Sequence, residues 1–365
     1  MNTSRYKFLL DGKQYQEEYL HLIREAKNSI YIHTYIFKND SFGGQVIDEL
    51  KKQASKGVKI YVLIDYIGSF DFDLKKLKFQ NIDVRFFNTF KVFNILKSGR
   101  RLHQKILVVD KSKAIIGGIN IIDSFIENEE PRLDFAISLV DKKIVSQVYQ
   151  YCSDLYEKKK IKQIVNKKKV KVLINDWYKK KSFIFDSTFG QIKRSKKEII
   201  LIHGYFLPSV KVFRLIRKKA KQNLDIKILL PRKSDWRIWV WATSHLYSKL
   251  ITSGVKVYEW PYSHLHGKLA IFDCQKINTG SYNMNYMSDY GNIELNLSID
   301  DEEFVKNICE RELKDIFKKS SLIKLENLNK RNFLVLLRNF LSFYLLIITS
   351  KISVNLIWFG RQLRL

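Results

Sequence analysis

One polar pattern occurs twice in this chain at a constant separation. RRLHQKILVVD, Arg100 to Asp110, carries His103, Lys105 and Asp110; SHLHGKLAIFD, Ser263 to Asp273, carries His266, Lys268 and Asp273. The differences 266 − 103, 268 − 105 and 273 − 110 all equal 163. Each aspartate then leads through six residues to a glycine turn ending in asparagine, Gly117-Gly118-Ile119-Asn120 in one case and Gly280-Ser281-Tyr282-Asn283 in the other. Chance does not reproduce so many positions at one offset. The chain is an internal duplication, and whatever one half folds into, the other must too.

The flanking segments repeat in the same order. SIYIHTYIF (29–37) and EIILIHGYF (198–206) are β-formers that share His-x-Tyr. Helical patterns follow over 43–57 and 208–223, where Val46, Ile47 and Leu50, and Val212, Leu215 and Ile216, recur at helical spacing. Strands are expected at 58–65 and 225–231, at 83–88 and 255–260, and at 134–140 and 293–299. Helices near 142–158 and 301–318 close the two halves. Alternating strands and helices predict an α/β class. The expected architecture is a pseudo-symmetric bilobal fold of two duplicated α-β-α layered halves with mixed sheets and an active site at their interface. The expected boundaries are 1–165, 166–325 and a tail at 326–365.

Along a strand, residues two apart share a face. His103 and Lys105 therefore point the same way as Leu107 and Val109, while Ile106 and Val108 fill the other side. Burying an imidazole and an ammonium in so apolar a strand is costly unless they have partners, so the pair needs a chemical reason. Two histidines from two related halves can meet across the interface. One neutral imidazole can attack an electrophile, and the other can protonate the leaving group and then activate the acceptor. Lys105 and Lys268 would hold anionic oxygens, and Asn120 and Asn283 would add donors, a set suited to a phosphodiester. A reacting histidine also needs an acceptor behind it; Asp134 and Glu294, which open equivalent strands, are the candidates. Asp110 and Asp273 complete the motif and are grouped with it as catalytic positions, although their opposite parity sets them to support a loop or the interface. No dense carboxylate cluster argues for a metal, and no cofactor is expected. Cys152, Cys274 and Cys309 have neither metal-type nor paired spacing, as in a reducing compartment.

Lys and Arg total 65 against 37 Asp and Glu in 365 residues, a net charge of +28. Runs such as EKKKIKQIVNKKKVK (157–171) and IKRSKKE (192–198) concentrate that charge. A polyanionic partner is implied, either an anionic membrane surface or nucleic acid. The C-terminal RNFLVLLRNFLSFYLLIITSKISVNLIWFGRQLRL (331–365) favours the membrane. Its longest uncharged run, 339–350, is short of the roughly 20 residues a spanning helix needs. Interspersed cations and interfacial aromatics predict a helix lying in the membrane surface. DWRIWVWATSHLY (235–247) reads equally as an aromatic lip or as a core helix.

H-x-K-x4-D followed by G-[GS]-x-N, twice in one chain, resembles the phospholipase D superfamily. The wider context, RLHQKILVVDKSKAIIGGIN and LHGKLAIFDCQKINTGSYNMNYMSDYGNIELN, is similar to the shorter bacterial cardiolipin synthases without N-terminal membrane spans. The resemblance covers roughly Tyr6 to Lys318. It implies metal-free phosphatidyl transfer through a phosphohistidine, from phosphatidylglycerol to a second phosphatidylglycerol with release of glycerol. It also implies His103 as nucleophile and His266 as acid/base. Lys105, Asn120, Lys268 and Asn283 would surround the phosphate, with Asp134 and Glu294 behind the histidines. Gly118, where many members have serine, departs from the pattern. The expected partners are an anionic phospholipid membrane and a phospholipid substrate rather than nucleic acid. The expected location is the cytoplasmic face of the inner membrane, held peripherally. Hydrolysis of a lipid or, as a lesser alternative, a nucleic-acid phosphodiester is the competing reading.

Overall fold

The computed structural model describes residues 5–10, 12–89, 100–123, 132–160, 169–176, 181–262 and 264–362. The first half contains β1 (Tyr6–Leu10), α1 (Lys13–Arg24), β2 (Ser29–Thr34), α2 (Ser41–Ser55), β3 (Lys59–Asp65), β4 (Ile82–Phe87), β5 (Arg101–Leu102), β6 (Lys105–Val109), β7 (Lys113–Gly117), β8 (Phe135–Leu139) and α3 (Lys142–Tyr156). The second half begins with β9 (Val170–Asp176), β10 (Lys181–Ser182), α4 (Phe183–Arg194), β11 (Glu198–His203), α5 (Val210–Lys221), β12 (Asp225–Pro231), α6 (Arg237–Ser244) and α7 (Tyr247–Ile251). It continues with β13 (Lys256–Trp260), β14 (Lys268–Phe272), β15 (Lys276–Gly280), α8 (Tyr286–Tyr290), β16 (Asn292–Asp300), α9 (Glu302–Ile308), α10 (Lys314–Lys319) and β17 (Ser321–Leu322). Two helices follow, α11 (Leu325–Asn329) and α12 (Phe333–Gln362).

Among these residues the strands form two mixed sheets. One runs β1-β8-β7-β6-β2-β3-β4 and the other β10-β9-β16-β15-β14-β11-β12-β13-β17. In each, three parallel strands (β2-β3-β4 and β11-β12-β13) adjoin an antiparallel set led by the His-Lys strand, β6 or β14. The parallel strands are the helix-linked ones, because a parallel pair needs a long crossover whereas an antiparallel pair closes with a tight turn. The duplication read from the sequence is thus a duplication of topology. The expected 165–166 boundary lies outside the described residues. α11 straddles the expected 325–326 boundary, and its Leu328 packs into the core of the second half.

The parity of the His-Lys strands decides how the cores divide. Leu107 and Val109 pack with α1 and α2, whereas Ile106 and Val108 join a central core shared by both halves. In the second half Ala270 and Phe272 face α4 and α5, and Leu269 and Ile271 enter the shared core. That central core contains α3, α9 and α10 residues together with strands of both sheets. It is one continuous apolar layer, which fixes one half against the other.

α12 is built inside out. Its buried or half-buried stripe, Val335, Asn339, Ser342, Leu346, Ser350 and Val354, recurs at helical spacing and contains the polar residues. Leu334, Leu341, Leu345, Ile348, Ile352 and Phe359 are exposed. Arg338 does not break the outer face, since its guanidinium lies over the Trp241 ring of α6, 4.5 Å from the centroid. The segment Phe333–Leu356, 24 residues, is therefore long and apolar enough to cross a membrane by length and composition, more than the short uncharged run in the sequence suggested.

Candidate active site

Each motif histidine is placed by a strand exchange between the halves. β5, which precedes His103, pairs in parallel with β16 of the other sheet, with Leu102 opposite Ile293. The His103 amide donates to the Ile293 carbonyl at 3.0 Å, which brings His103 alongside Glu294. The mirror arrangement joins Leu133 and Leu265 in a parallel bridge. There the His266 amide donates to the Leu133 carbonyl at 2.9 Å, bringing His266 alongside Asp134.

The side chains complete the exchange. His103 Nδ1 lies 2.9 Å from Glu294 Oε2, and His266 Nδ1 lies 2.7 Å from Asp134 Oδ2. Both motif histidines therefore pair with a carboxylate from the opposite half. An ionised carboxylate can only accept, which assigns the ring proton to Nδ1 in each histidine and leaves Nε2 as the free ring nitrogen, with Lys268 Nζ also 2.8 Å from His266 Nδ1. Burial pushes the His103 imidazole below its ordinary value, against the opposing pull of Glu294. Burial and the neighbouring Lys268 lower His266 further, to about 3. Burial alone would raise Asp134 and Glu294, but Lys268 and His266 around the first, and His103 and Lys105 around the second, hold both below the usual carboxylate range. Both histidines are accordingly neutral with ionised carboxylates behind them.

The lysines lie against the same groups. Lys105 donates to the His103 carbonyl, and its ammonium sits 5.3 Å from the centre of the Tyr35 ring. Lys268 donates to the His266 carbonyl and lies 3.8 Å from Asp134 Oδ2. Burial, and then repulsion from Lys268, lower Lys105 to about 7. The two ammonium groups repel one another across the site, a repulsion that a negative charge between them would relieve. Asn120 Oδ1 accepts from the Ile36 amide at 3.2 Å, and Asn283 Oδ1 is buried with no hydrogen-bond partner among the described residues.

The two carboxylates are held differently. Glu294 accepts from Ser281 Oγ at 2.5 Å, Ser288 Oγ at 2.7 Å and Asn292 Nδ2 at 3.1 Å. Asp134 accepts from its neighbour's amide, Phe135 N, at 2.8 Å. Gly118 stands where Ser281 stands in the second half, and a Cβ on it would lie 2.2 Å from Asp134 Oδ1. The glycine is thus the space that the shorter acid occupies.

Asp110 and Asp273 do not belong to the catalytic group. Asp110 adopts φ of 50° at the far end of β6, and its carboxylate accepts from the amides of Lys27, Asn28 and Ser29. Asp273 adopts φ of 55° and accepts from Lys196, Lys197 and Glu198. Five residues of strand, roughly 17 Å, separate each from the lysine of its motif. They tie the turn after the His-Lys strand to the loop that starts its neighbour.

Two site residues were visible in the sequence only as strand repeats. Tyr35 and Tyr205, the tyrosines of the two His-x-Tyr pairs, stand edge-on to His103 and His266, with ring centroids 5.0 and 5.8 Å apart. Their shared offset from His33 and His203 was the available signal. Tyr205 also meets Trp239 at 5.2 Å. The tryptophan segment is therefore neither a core helix nor a free lip. Trp236 is exposed, Trp239 reaches the site and Trp241 supports α12, so α6 connects the site to the apolar helix.

The family described as "Cardiolipin synthase, PLD-like domain" matches residues 19–156 and again 188–316. A cardiolipin synthase of Clostridium perfringens (strain SM101 / Type A) is 27% identical over 345 residues, covering 88% of this chain and 72% of that protein. Cardiolipin synthase 2 of Staphylococcus epidermidis (strain ATCC 35984) is 28% identical over 351 residues, 89% of this chain and 70% of that protein. The crystal structure of phosphatidylserine synthase from Haemophilus influenzae Rd KW20 superposes with a TM-score of 0.73 over 97% of this chain and 96% of that one, at 15% identity, a likeness of fold.

Proposed function

The chain belongs to the cardiolipin synthase family of phospholipase D-like domains, and within it we propose that it transfers a phosphatidyl group from one phosphatidylglycerol to another, releasing glycerol and forming cardiolipin. The observation that carries this reading is the crossed pair of histidine–carboxylate contacts with a buried lysine beside each. His103 Nε2 attacks the phosphorus of the donor. The bond to the glycerol oxygen breaks, that oxygen takes a proton from His266, and a phosphatidyl-histidine remains. His266 then removes the proton from a hydroxyl of the acceptor lipid. The new P–O bond forms as the P–N bond breaks, so the site returns to its starting state. Lys105 and Lys268 hold the phosphoryl oxygens as charge builds on them. His266 enters the cycle protonated when the anionic phosphate arrives between the lysines and offsets the burial that keeps it neutral in the empty site.

A second reading exchanges the two histidines. Its support is the lower value of His266, which keeps that ring more firmly neutral, with its free nitrogen's lone pair available for attack.

The membrane supplies both substrates. The exposed apolar face of α12 supports its insertion into a bilayer, and the net charge of +28 supports attraction to an anionic lipid surface. This combination favours a lipid over nucleic acid as the polyanion. We place the protein peripherally at the cytoplasmic face of the inner membrane.

The test incubates the protein with vesicles of labelled phosphatidylglycerol, separates the lipids, and maps acid-quenched adducts by mass spectrometry. Glycerol release in step with a diphosphatidylglycerol product, and an adduct on His103, are expected. Phosphatidic acid alone would replace transfer by hydrolysis, and an adduct on His266 would establish the exchanged roles.

A further inference from the structure

Arg101 lies two residues before His103 on the same strand face, roughly 6.6 Å away along the strand. Its Nη1 is buried, and among the described residues Nη1 has no hydrogen-bond partner. A buried guanidinium nitrogen with nothing to donate to is costly, so this position needs an explanation. The buried Asp65 carboxylate feels the Arg101 charge, but its oxygens are taken up by backbone amides: Oδ1 accepts from Ile67 and Gly68, and Oδ2 from Leu102. The Arg101 charge is also felt at Tyr35, the residue that stands edge-on to His103.

The duplication supplies a comparison within the same molecule. The position 163 residues on, 264 − 101, is His264. His264 Nδ1 lies 2.6 Å from Asp235 Oδ1, and Arg132 lies 3.5 Å from Asp235 Oδ2. Each half thus sets an acid near this position, but in the first half backbone amides occupy the Asp65 carboxylate and Arg101 Nη1 is left without a hydrogen bond among the described residues.

We propose that Arg101 binds the second, non-reacting phosphate of a phospholipid acceptor, and so selects an acceptor that bears a phosphodiester over water or a neutral alcohol. The assignment rests on the phosphatidyl-transfer reading above and names what that site recognises. The chemistry fits. In phosphatidylglycerol only a three-carbon bridge separates the attacking hydroxyl from the lipid's own phosphate, a span on the scale of the Arg101–His103 spacing. The donor has no second phosphate to offer. A guanidinium is suited to a phosphodiester because its fork donates to two oxygens at once.

The experiment measures the ratio of transfer onto phosphatidylglycerol to transfer onto labelled free glycerol, both from the same detergent-dispersed donor. In Arg101→Gln this ratio should fall about ten- to hundred-fold, the worth of a charge-assisted hydrogen bond. Arg101→Lys should recover part of it, which guards against a loss due to misfolding. sn-Glycerol 3-phosphate, used as a soluble acceptor without acyl chains, should be preferred to glycerol by the wild-type chain but not by Arg101→Gln. Equal loss of both transfers would overturn the assignment, as would an unchanged ratio. A wild-type chain that exchanges no glycerol at all would instead overturn the transfer reading beneath it.

Discussion

Replacing Asp134 by asparagine should damage this enzyme far more than replacing Glu294 by glutamine, although both changes remove one charge from behind one histidine. Asp134 receives two donors that cannot turn around, His266 Nδ1–H at 2.7 Å and the Phe135 amide at 2.8 Å. An asparagine has one acceptor and one NH2. If the NH2 faces His266, the imidazole must move its proton to Nε2 and the ring can no longer act as a base. If the NH2 faces Phe135, a buried amide is left unpaired at a cost of about 1–3 kcal/mol. Lys268, wholly buried 3.8 Å from the lost charge, also loses its nearest anion. An inverted tautomer behind a catalytic histidine lowers kcat by about 10⁴, roughly 5.4 kcal/mol of barrier, so a loss of about 10³–10⁴ is expected for Asp134→Asn. Glu294 has partners that can adapt. A glutamine can keep its carbonyl on His103 and Ser281, while Ser288 rotates to accept and Asn292 turns its amide. Only the charge is lost, and a decrease of about 10–100-fold should result. Steady-state cardiolipin formation, with thermal unfolding to confirm that each variant is folded, decides the matter. Equal losses in the two variants, or an Asp134→Asn enzyme within ten-fold of wild type, would refute the argument.

Three further expectations follow from the same geometry. Gly118→Ser, which restores the serine usual in the motif, should lower activity by more than ten-fold, because its Cβ would stand 2.2 Å from Asp134 Oδ1 and displace the carboxylate; near-normal turnover would show that Asp134 can move freely. Lys105, lowered to about 7 by burial and Lys268, holds phosphate only while charged, so KM for phosphatidylglycerol should rise as pH increases from 7 towards 9; a flat KM over that range would remove Lys105 from phosphate binding. For stability the sign is opposite, since between about 7 and the ordinary lysine value the unfolded chain binds the extra proton. Deleting residues 331–365 should move the protein from the membrane to the soluble fraction while leaving transfer on detergent-dispersed lipid, and continued pelleting would deny α12 its role at the bilayer.

The duplication was legible because reaction chemistry demanded the same side chains twice, and neither half could drift at His103, Lys105, His266 or Lys268 without losing it. Sheet order followed from alternating strands and helices. The pairing of acids with histidines did not. Asp134 and Glu294 could be picked out as openers of equivalent strands, yet the histidine each serves depends on β5 and the 133–265 bridge crossing between sheets, and no local pattern records a contact between residues 132 or 191 positions apart. Tyr35 and Tyr205 were seen as strand markers because an aromatic residue in a strand usually packs, and only the third dimension put them against the histidines. Asp110 and Asp273 travelled with the motif because the turn they fasten is as indispensable to the strand as the chemistry at its other end. Arg338 looked like the end of an apolar run until a ring in a neighbouring helix accounted for it.

The crossed contacts also change what counts as a unit of inheritance. Two copies of one ancestral segment lie in this chain, but neither copy holds a complete instrument, because each lends its acid to the other's base. A recombination event that exchanged one half for a relative's would separate both pairs at once, and a surviving hybrid would have to re-match them at two places simultaneously. The halves are therefore bound to vary together, and a chain of this kind should change its chemistry in paired steps or not at all.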